Sequence, residues 1–332
     1  MYSPAARLEH SLRRAWSAAA RSGGALQVLT SRDELELFVV QRALCAAQEG
    51  PPGCRFAAAV LAVEGAEAME GSDAMAAADA LFERGVRSVA LHHARANACG
   101  RSAHDPPASH GDADPGLSEW GLALLGRLQE LGVLVDLSHS SDALIRHATA
   151  VATKPMALTH VVPASAAQRC ARAGGALGRP PGQAGAPVAV VDDRTLSSFA
   201  AAGGVVGVSF AACVDPSGAA VDADPIRDVA SRVAALLRSI GAQHVALGSD
   251  WDGGVVLPAA LGARGMALLG AALRKEGLSE ADLGAVMGGN ALSLLRSTLP
   301  SDLQMAETAA RGTASRRVTT VGEEGTVYDV WL

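Results

Sequence analysis

The sequence predicts an α/β fold built on a parallel β/α barrel, and three observations predict it. Five apolar runs of strand length each stop at a reactive side chain: 56–63 at Glu64, 86–91 at His92 and His93, 133–138 at His139, 155–159 at His160 and 244–249 at Asp250. Segments with helical character lie between them, so strand, reactive residue, loop and helix recur along the chain. The length, 332 residues, suits a single barrel domain, in which reactive groups at the strand C-termini share one face.

Residues 5–22 read as a helix closed by Gly23-Gly24, followed by a short apolar stretch at 25–29. Ser31 caps a second helix to about 47. After the strand that ends at Glu64, Ser72-Asp73 opens a helix that Gly85 stops, and Val86 begins the next strand. Residues 100–116, rich in Pro, Gly, Asp and Ser, read as a surface loop on the active face. A helix over 117–131 leads to the strand ending at Ser138, and Ser141 with Asp142 supplies the cap of a helix to about 152. Composition collapses to Gly, Ala and Pro over 173–187, as in a flexible lid or insertion. Asp193 caps a short helix ended by Gly203-Gly204, 205–210 is a buried strand, and Asp224-Pro225 starts a helix to 240. Helices near 257–275, 279–287 and 290–298 complete a barrel domain over 1–299, and the polar remainder, 300–332, reads as a tail outside it.

Apolar residues make up 49% and charged residues 19%, which supplies a globular core and argues against disorder. The net charge is −6 and the basic residues are scattered, so nucleic acid is not an expected partner. Cys45, Cys54, Cys99, Cys170 and Cys213 are odd in number, far apart and free of CxxC spacing. The expectation is neither a disulfide framework nor a thiolate zinc site, and hence a reducing, cytoplasmic compartment. No run approaches the roughly 20 apolar residues that span a bilayer. No N-terminal stretch reads as a signal peptide, and Arg7, Arg13, Arg14 and Arg21 read as a solvated amphipathic helix rather than a transit peptide.

His139 and His160 end successive strands, where parallel geometry aims both imidazoles into one cup. With the Glu64 carboxylate they make three metal ligands and leave a position for water, as a hydrolytic zinc site needs. Such a metal lowers the water's pKa to about 7 and polarises a carbonyl. Asp250, within Gly248-Ser249-Asp250-Trp251-Asp252-Gly253, faces that site as a general acid/base, whereas Asp252 reads as a turn residue. His92 and His93 alternate in direction, so one of them faces the cup, and His93 is the candidate. His104 and His110 lie in the Pro-rich loop and read as solvated. Arg169, Arg172 and Arg179 surround the segment after His160, where one is suited to clamp a carboxylate.

These residues, in this order, resemble the membrane (renal) dipeptidase family of zinc peptidases. The carrying stretches are Val63-Glu64-Gly65-Ala66, 85–93, GVLVDLSHSSD at 132–142, Thr159-His160, GGVVGVSF at 203–210, HVALGSDWDG at 244–253 and Gly288-Gly289-Asn290. The resemblance implies a (β/α)8 TIM barrel of the metal-dependent hydrolase type whose two zinc ions hydrolyse a dipeptide through a metal-bound hydroxide. It implies that Glu64 bridges the metals, that His139 and His160 complete the second metal's shell, and that Asp250 is the acid/base. It further implies that His93 contacts the substrate at the scissile carbonyl and that an Arg after the second ligand histidine holds the substrate carboxylate, Arg172 here with Arg179 as the alternative. A homodimer is open.

One departure stands at the front. The family opens with a strand ending in His-x-Asp, both residues ligating the first zinc, and nothing before Glu64 has that form. His110-Gly111-Asp112 spells the triplet but follows Pro106-Pro107 in a loop, and Glu67 stands where relatives often carry His. The expectation is a barrel incomplete at its N-terminal strand that holds one or two zinc ions. Truncation, completion by another chain or loss of the first metal would each produce it. The alternatives are a catalytically impaired dipeptide-binding or scaffold protein and a one-metal amidohydrolase acting on another amide or lactone.

Overall fold

The computed structural model describes residues 3–49, 54–105, 114–178, 188–222, 224–253, 261–262, 265–311, 317–321 and 327–331. The chain begins with α1 (Pro4–Arg21), β1 (Leu26–Val28), α2 (Arg32–Glu49), β2 (Ala57–Ala59), β3 (Leu61–Glu64), α3 (Ala74–Glu83) and β4 (Val86–Ala90). It continues with α4 (Glu119–Leu131), β5 (Leu134–Asp136), α5 (Asp142–Val151), β6 (Ala157–Pro163), α6 (Ala164–Arg172), β7 (Ala176–Leu177) and β8 (Val190–Val191). Then come α7 (Asp193–Ala201), β9 (Val205–Ser209), β10 (Cys213–Val214), α8 (Pro225–Ile240), β11 (Val245–Gly248) and α9 (Met266–Lys275). Last are α10 (Glu280–Gly284), α11 (Asn290–Thr298), α12 (Asp302–Arg311) and a hairpin of β12 (Arg317–Val321) and β13 (Val327–Trp331).

Side-chain oxygens start the helices where the sequence offers them. Asp73, Ser118, Ser141 and Asp224 accept from free N–H groups in the first turns of α3, α4, α5 and α8. Asp192, not Asp193, caps α7; the Asp193 carboxylate instead accepts from the amide and hydroxyl of Ser165 in the first turn of α6.

The strands make a parallel α/β sheet, as the sequence predicts. Its spatial order is β3, β4, β5, β6, β9, β11, with β8 attached to β6, and every ladder within it is parallel. The apolar stretch at 25–29 forms β1, which lies parallel to β2 one residue before β3 and is followed by Leu29, Thr30 and Ser31. Among the described residues no ladder joins β11 back to β3. β4, β5 and β9 are buried along their whole length, as parallel strands covered on both faces must be. Their core packs Val89, Val135 and Val206 against Leu81, Leu128, Ile145, Phe199 and Val233 of the surrounding helices. At the N-terminal ends of the strands, Leu134, Ala157, Val205 and Ala246 are sealed by Leu294 of α11, which leaves the C-terminal ends as the open face.

β6 differs from expectation in a way that matters for function. It does not stop at Thr159 but runs to Pro163, and its register against β9 shifts between Leu158 and Val161. His160 therefore sits inside a strand, turned by an irregularity of the kind that re-aims side chains. Gly207 of β9 and Gly248 of β11 accommodate that shift, since a Cβ at either would collide with the Thr159 carbonyl oxygen.

Two further expectations are overturned. The cysteines are not all free: Cys45 and Cys54 are bridged with Cα atoms 5.8 Å apart, Cys170 and Cys213 with Cα atoms 5.7 Å apart, and Cys99 remains buried and unpaired. The second bridge spans 43 residues, so its pairing is a product of tertiary proximity that spacing does not reveal, and it removes the basis on which the sequence pointed to a reducing compartment. The segment from 173 is not wholly loop either, because β7 pairs antiparallel with β10; 179–187, with the alternative Arg179, lies outside the described residues. Beyond Pro300, α12 places Met305 against the main core, and the Pro300 carbonyl accepts from the Arg32 amide at 2.8 Å. No helix among the described residues is long and apolar enough to cross a membrane.

Arg87 of β4 is 1% exposed and lies 3.9 Å over the Phe82 ring. It donates to the carbonyls of Thr30, Phe82 and Val86 at 2.6, 2.8 and 2.8 Å, and burial lowers its pKa to about 10. Arg87→Met leaves those buried acceptors without their charged donor and is expected to cost about 3 kcal/mol, read from urea unfolding. Gly248→Ala is expected to destabilise by about 1–3 kcal/mol in the same assay, because the Thr159 carbonyl must shift.

Candidate metal centre

Five strands deliver the reactive side chains to the open face: Glu64 closes β3, His93 follows β4, His139 follows β5 and Asp250 follows β11, while His160 comes from within β6. Two of these positions have backbones that L-residues seldom adopt, with φ of 63° at His139 and 56° at Asp250. Such conformations persist where surrounding bonds impose them and concentrate at functional sites. At His139 the restraint is visible, since its carbonyl oxygen accepts from the Ala103 amide at 2.8 Å and the Ser102 hydroxyl at 3.0 Å.

Glu64, His139 and His160 converge on one point. Glu64 Oε1 lies 3.2 Å from His139 Nε2 and 3.1 Å from His160 Nε2, and the two nitrogens are 2.9 Å apart. A tetrahedral zinc ion with bonds of about 2.0–2.1 Å needs donor separations of about 3.3 Å, so this triangle fits after opening by a few tenths of an ångström. A ring nitrogen of His93 comes within 4.8 Å of the Glu64 and His139 donors, with the His93 and His139 rings 5.3 Å apart. The side chains of His139 and His160 are 5% and 15% exposed but that of Glu64 is 43% exposed, so the cluster is open to solvent on the carboxylate side.

The electrostatics favour a cation. Burial opposes ionisation of Glu64, yet hydrogen bonds from His139 and His160, and their charge, hold its carboxyl far below the usual range. Burial likewise disfavours a charged His160, but the Glu64 hydrogen bond and the charges of Asp136, Glu64 and Asp250 push it up to about 9. Asp250, half-buried, moves the other way: burial raises its carboxyl, and Glu64 reinforces that against the imidazoles of His160, His139 and His93.

Asp136, which the sequence reading passed over, orders the site from below. Its carboxylate, 4% exposed, accepts from the Ser138 amide at 2.9 Å, the Ser138 hydroxyl at 2.8 Å and the Thr159 amide at 3.1 Å. It also accepts from the Thr159 hydroxyl at 2.5 Å. That hydroxyl, its proton committed, is left to accept from His160 Nδ1 at 2.8 Å, which turns His160 Nε2 toward Glu64, where it donates to the carboxylate when protonated and offers its lone pair to a metal when not. The sequence did carry a signal, a single Asp within the apolar run VLVDL at 133–137, where a charge must be paired.

His104 is a correction. Expected in solvent, it is partly buried, with Nε2 2.7 Å from His139 Nδ1, and burial, with His139 and His93, pushes its pKa down to about 4. Residues 101–105 are folded against the site rather than looped over the surface, whereas 106–113 lie outside the described residues. Ser102 bridges Ser140, and the Asp105 carboxylate accepts from the amides of Ser102 and Ala96 at 2.7 and 3.0 Å. His92 points away from the cup, as alternation requires, with Nδ1 3.0 Å from the Ser140 hydroxyl and Nε2 3.2 Å from the Gly100 carbonyl. Arg172 is exposed in the last turn of α6 and is not among the residues that meet Glu64, His139 or His160. His110 and Asp112 lie outside the described residues.

The chain is 28% identical over 229 residues to Dipeptidase verJ of Clonostachys rogersoniana, covering 69% of this chain and 52% of that protein. It is 30% identical over 223 residues to Dipeptidase aclJ of Aspergillus oryzae, covering 64% and 45%. It thus spans about half the length of these curated relatives. A metallo peptidase from Rhodobacter sphaeroides, liganded with a phosphinate mimic of the dipeptide L-Ala-D-Ala, shares the fold at a TM-score of 0.67 and 21% identity, over 88% of this chain and 74% of that one. The profile described as Membrane dipeptidase (Peptidase family M19) matches residues 42–307, a span that includes every residue of the cluster. A parallel α/β sheet that gathers a carboxylate and two imidazoles at its open face, carried on a sequence that fits this profile, makes the chain a member of the membrane dipeptidase family.

Proposed function

We propose that the protein hydrolyses dipeptides at a single zinc ion held by Glu64, His139 and His160. The observation that carries this reading is the meeting of three donor atoms within 3.2 Å of one another at the open end of the sheet. Zinc bound there supplies Lewis acidity and lowers the pKa of water to about 7. The remaining work belongs to the chain. Asp250, whose carboxylate burial makes more basic, takes the proton of the attacking water and, now protonated, passes it to the leaving amine nitrogen. His93, with a ring nitrogen within 4.8 Å of the Glu64 and His139 donors, orients the scissile carbonyl. Arg172 holds the substrate carboxylate, with Arg179 as the alternative, on a helix tied to β10 through Cys170 and Cys213.

The purified chain is expected to bind zinc and cleave dipeptides. Asp250→Asn should lower kcat by 10²–10⁴-fold, a loss of the size that general acid/base groups supply, with zinc content unchanged. Activity surviving that substitution removes Asp250 from the chemistry, and zinc binding without any hydrolysis favours a dipeptide-binding protein instead. Thr159→Val, which strips His160 of its acceptor, should weaken zinc binding about 10–100-fold in competition with a chromophoric chelator.

A further inference from the structure

We propose that His104 is a positioning residue for His139, its Nε2 accepting the Nδ1 proton of that ligand. The inference rests on the metal reading of the same site and adds to it a residue outside the donor triangle.

The geometry assigns the direction of this bond. His139 Nε2 is directed at the point shared with Glu64 and His160, and an imidazole that ligates through Nε2 carries its proton on Nδ1. Ligating histidines donate that second proton to an acceptor, which fixes the ring plane and the tautomer. The atom 2.7 Å from His139 Nδ1 is His104 Nε2, so His104 accepts through its lone pair and keeps its own proton on Nδ1.

The segment around His104 is built for this contact. Ala103 and Ser102 donate to the His139 carbonyl, while His104 meets the ring of the same residue, so one short stretch grips the backbone and the side chain together. It grips the residue whose φ of 63° most needs restraint. Asp105 closes the stretch on itself through Ser102 and Ala96, and the Ser102 hydroxyl accepts from the His104 amide at 3.2 Å. Both proposed ligand imidazoles then have a partner at Nδ1, Thr159 for His160 and His104 for His139. The two partners differ in kind: Thr159 leads to a buried carboxylate, whereas His104 brings orientation without a formal charge.

The test compares the full wild-type chain with His104→Leu, His104→Gln and Glu64→Gln by zinc affinity in chelator competition. His104→Leu is expected to weaken binding about 10–100-fold, and His104→Gln, whose amide oxygen can accept the same proton, to recover most of it. In zinc-loaded, ¹⁵N-labelled wild type, a scalar coupling across the hydrogen bond between His139 Nδ1 and His104 Nε2 is expected, a readout that requires no variant to fold. Wild-type affinity in His104→Leu, equal loss in the Leu and Gln variants, or absence of that coupling overturns the proposal while leaving the metal site standing. A wild-type chain that binds no zinc, or zinc binding indifferent to Glu64→Gln, overturns the metal reading and this proposal with it.

Discussion

The site depends on a buried carboxylate that touches no donor atom of the metal triangle. β5 and β6 share one backbone register pair, Asp136 with Ala157, so the strands that carry His139 and His160 are poorly joined by their ladder. The Asp136 side chain makes up the deficit, binding Ser138 just past the end of its own strand and both the amide and hydroxyl of Thr159 on the next. A carboxylate hidden from water is costly unless its lone pairs are filled, and four hydrogen bonds fill them here. The same bonds hold the spacing between the two imidazoles, so stabilising the core and shaping the centre are one task.

Much of this was legible in the chain because parallel sheets write their pattern plainly. The apolar runs before Glu64, His139 and Asp250 end where the strands end, and each reactive residue lands on the open face. His160 reached that face by a different route from the one its spacing suggested, since a register shift within β6, allowed by two glycines on neighbouring strands, leaves no mark in the hydrophobic pattern. The role of His104 was hidden for a related reason. Its neighbours have loop composition, and only their long-range bonds to Ser140 and His139 show that they are packed. Composition reports how a segment is built, whereas the company it keeps is decided by residues elsewhere.

The cysteines make the same point from the opposite side. Absence of a CxxC motif was silent about pairing between α6 and β10, elements that are distant in sequence and adjacent in space. α6 is hard to read in the sequence because it is short and follows directly on β6 with no side chain to cap it.

Placing His160 inside a strand rather than on a loop divides the molecule into two regimes of variability. The donor is locked by ladder bonds, by Thr159 and by glycines where a side chain would displace the Thr159 carbonyl, so change in that corner of the molecule is costly. Arg172, proposed to meet the substrate carboxylate, stands instead in the exposed last turn of α6, where a change of chemistry leaves the donors undisturbed. A protein so constructed can acquire a new preference while its reactive centre stands still.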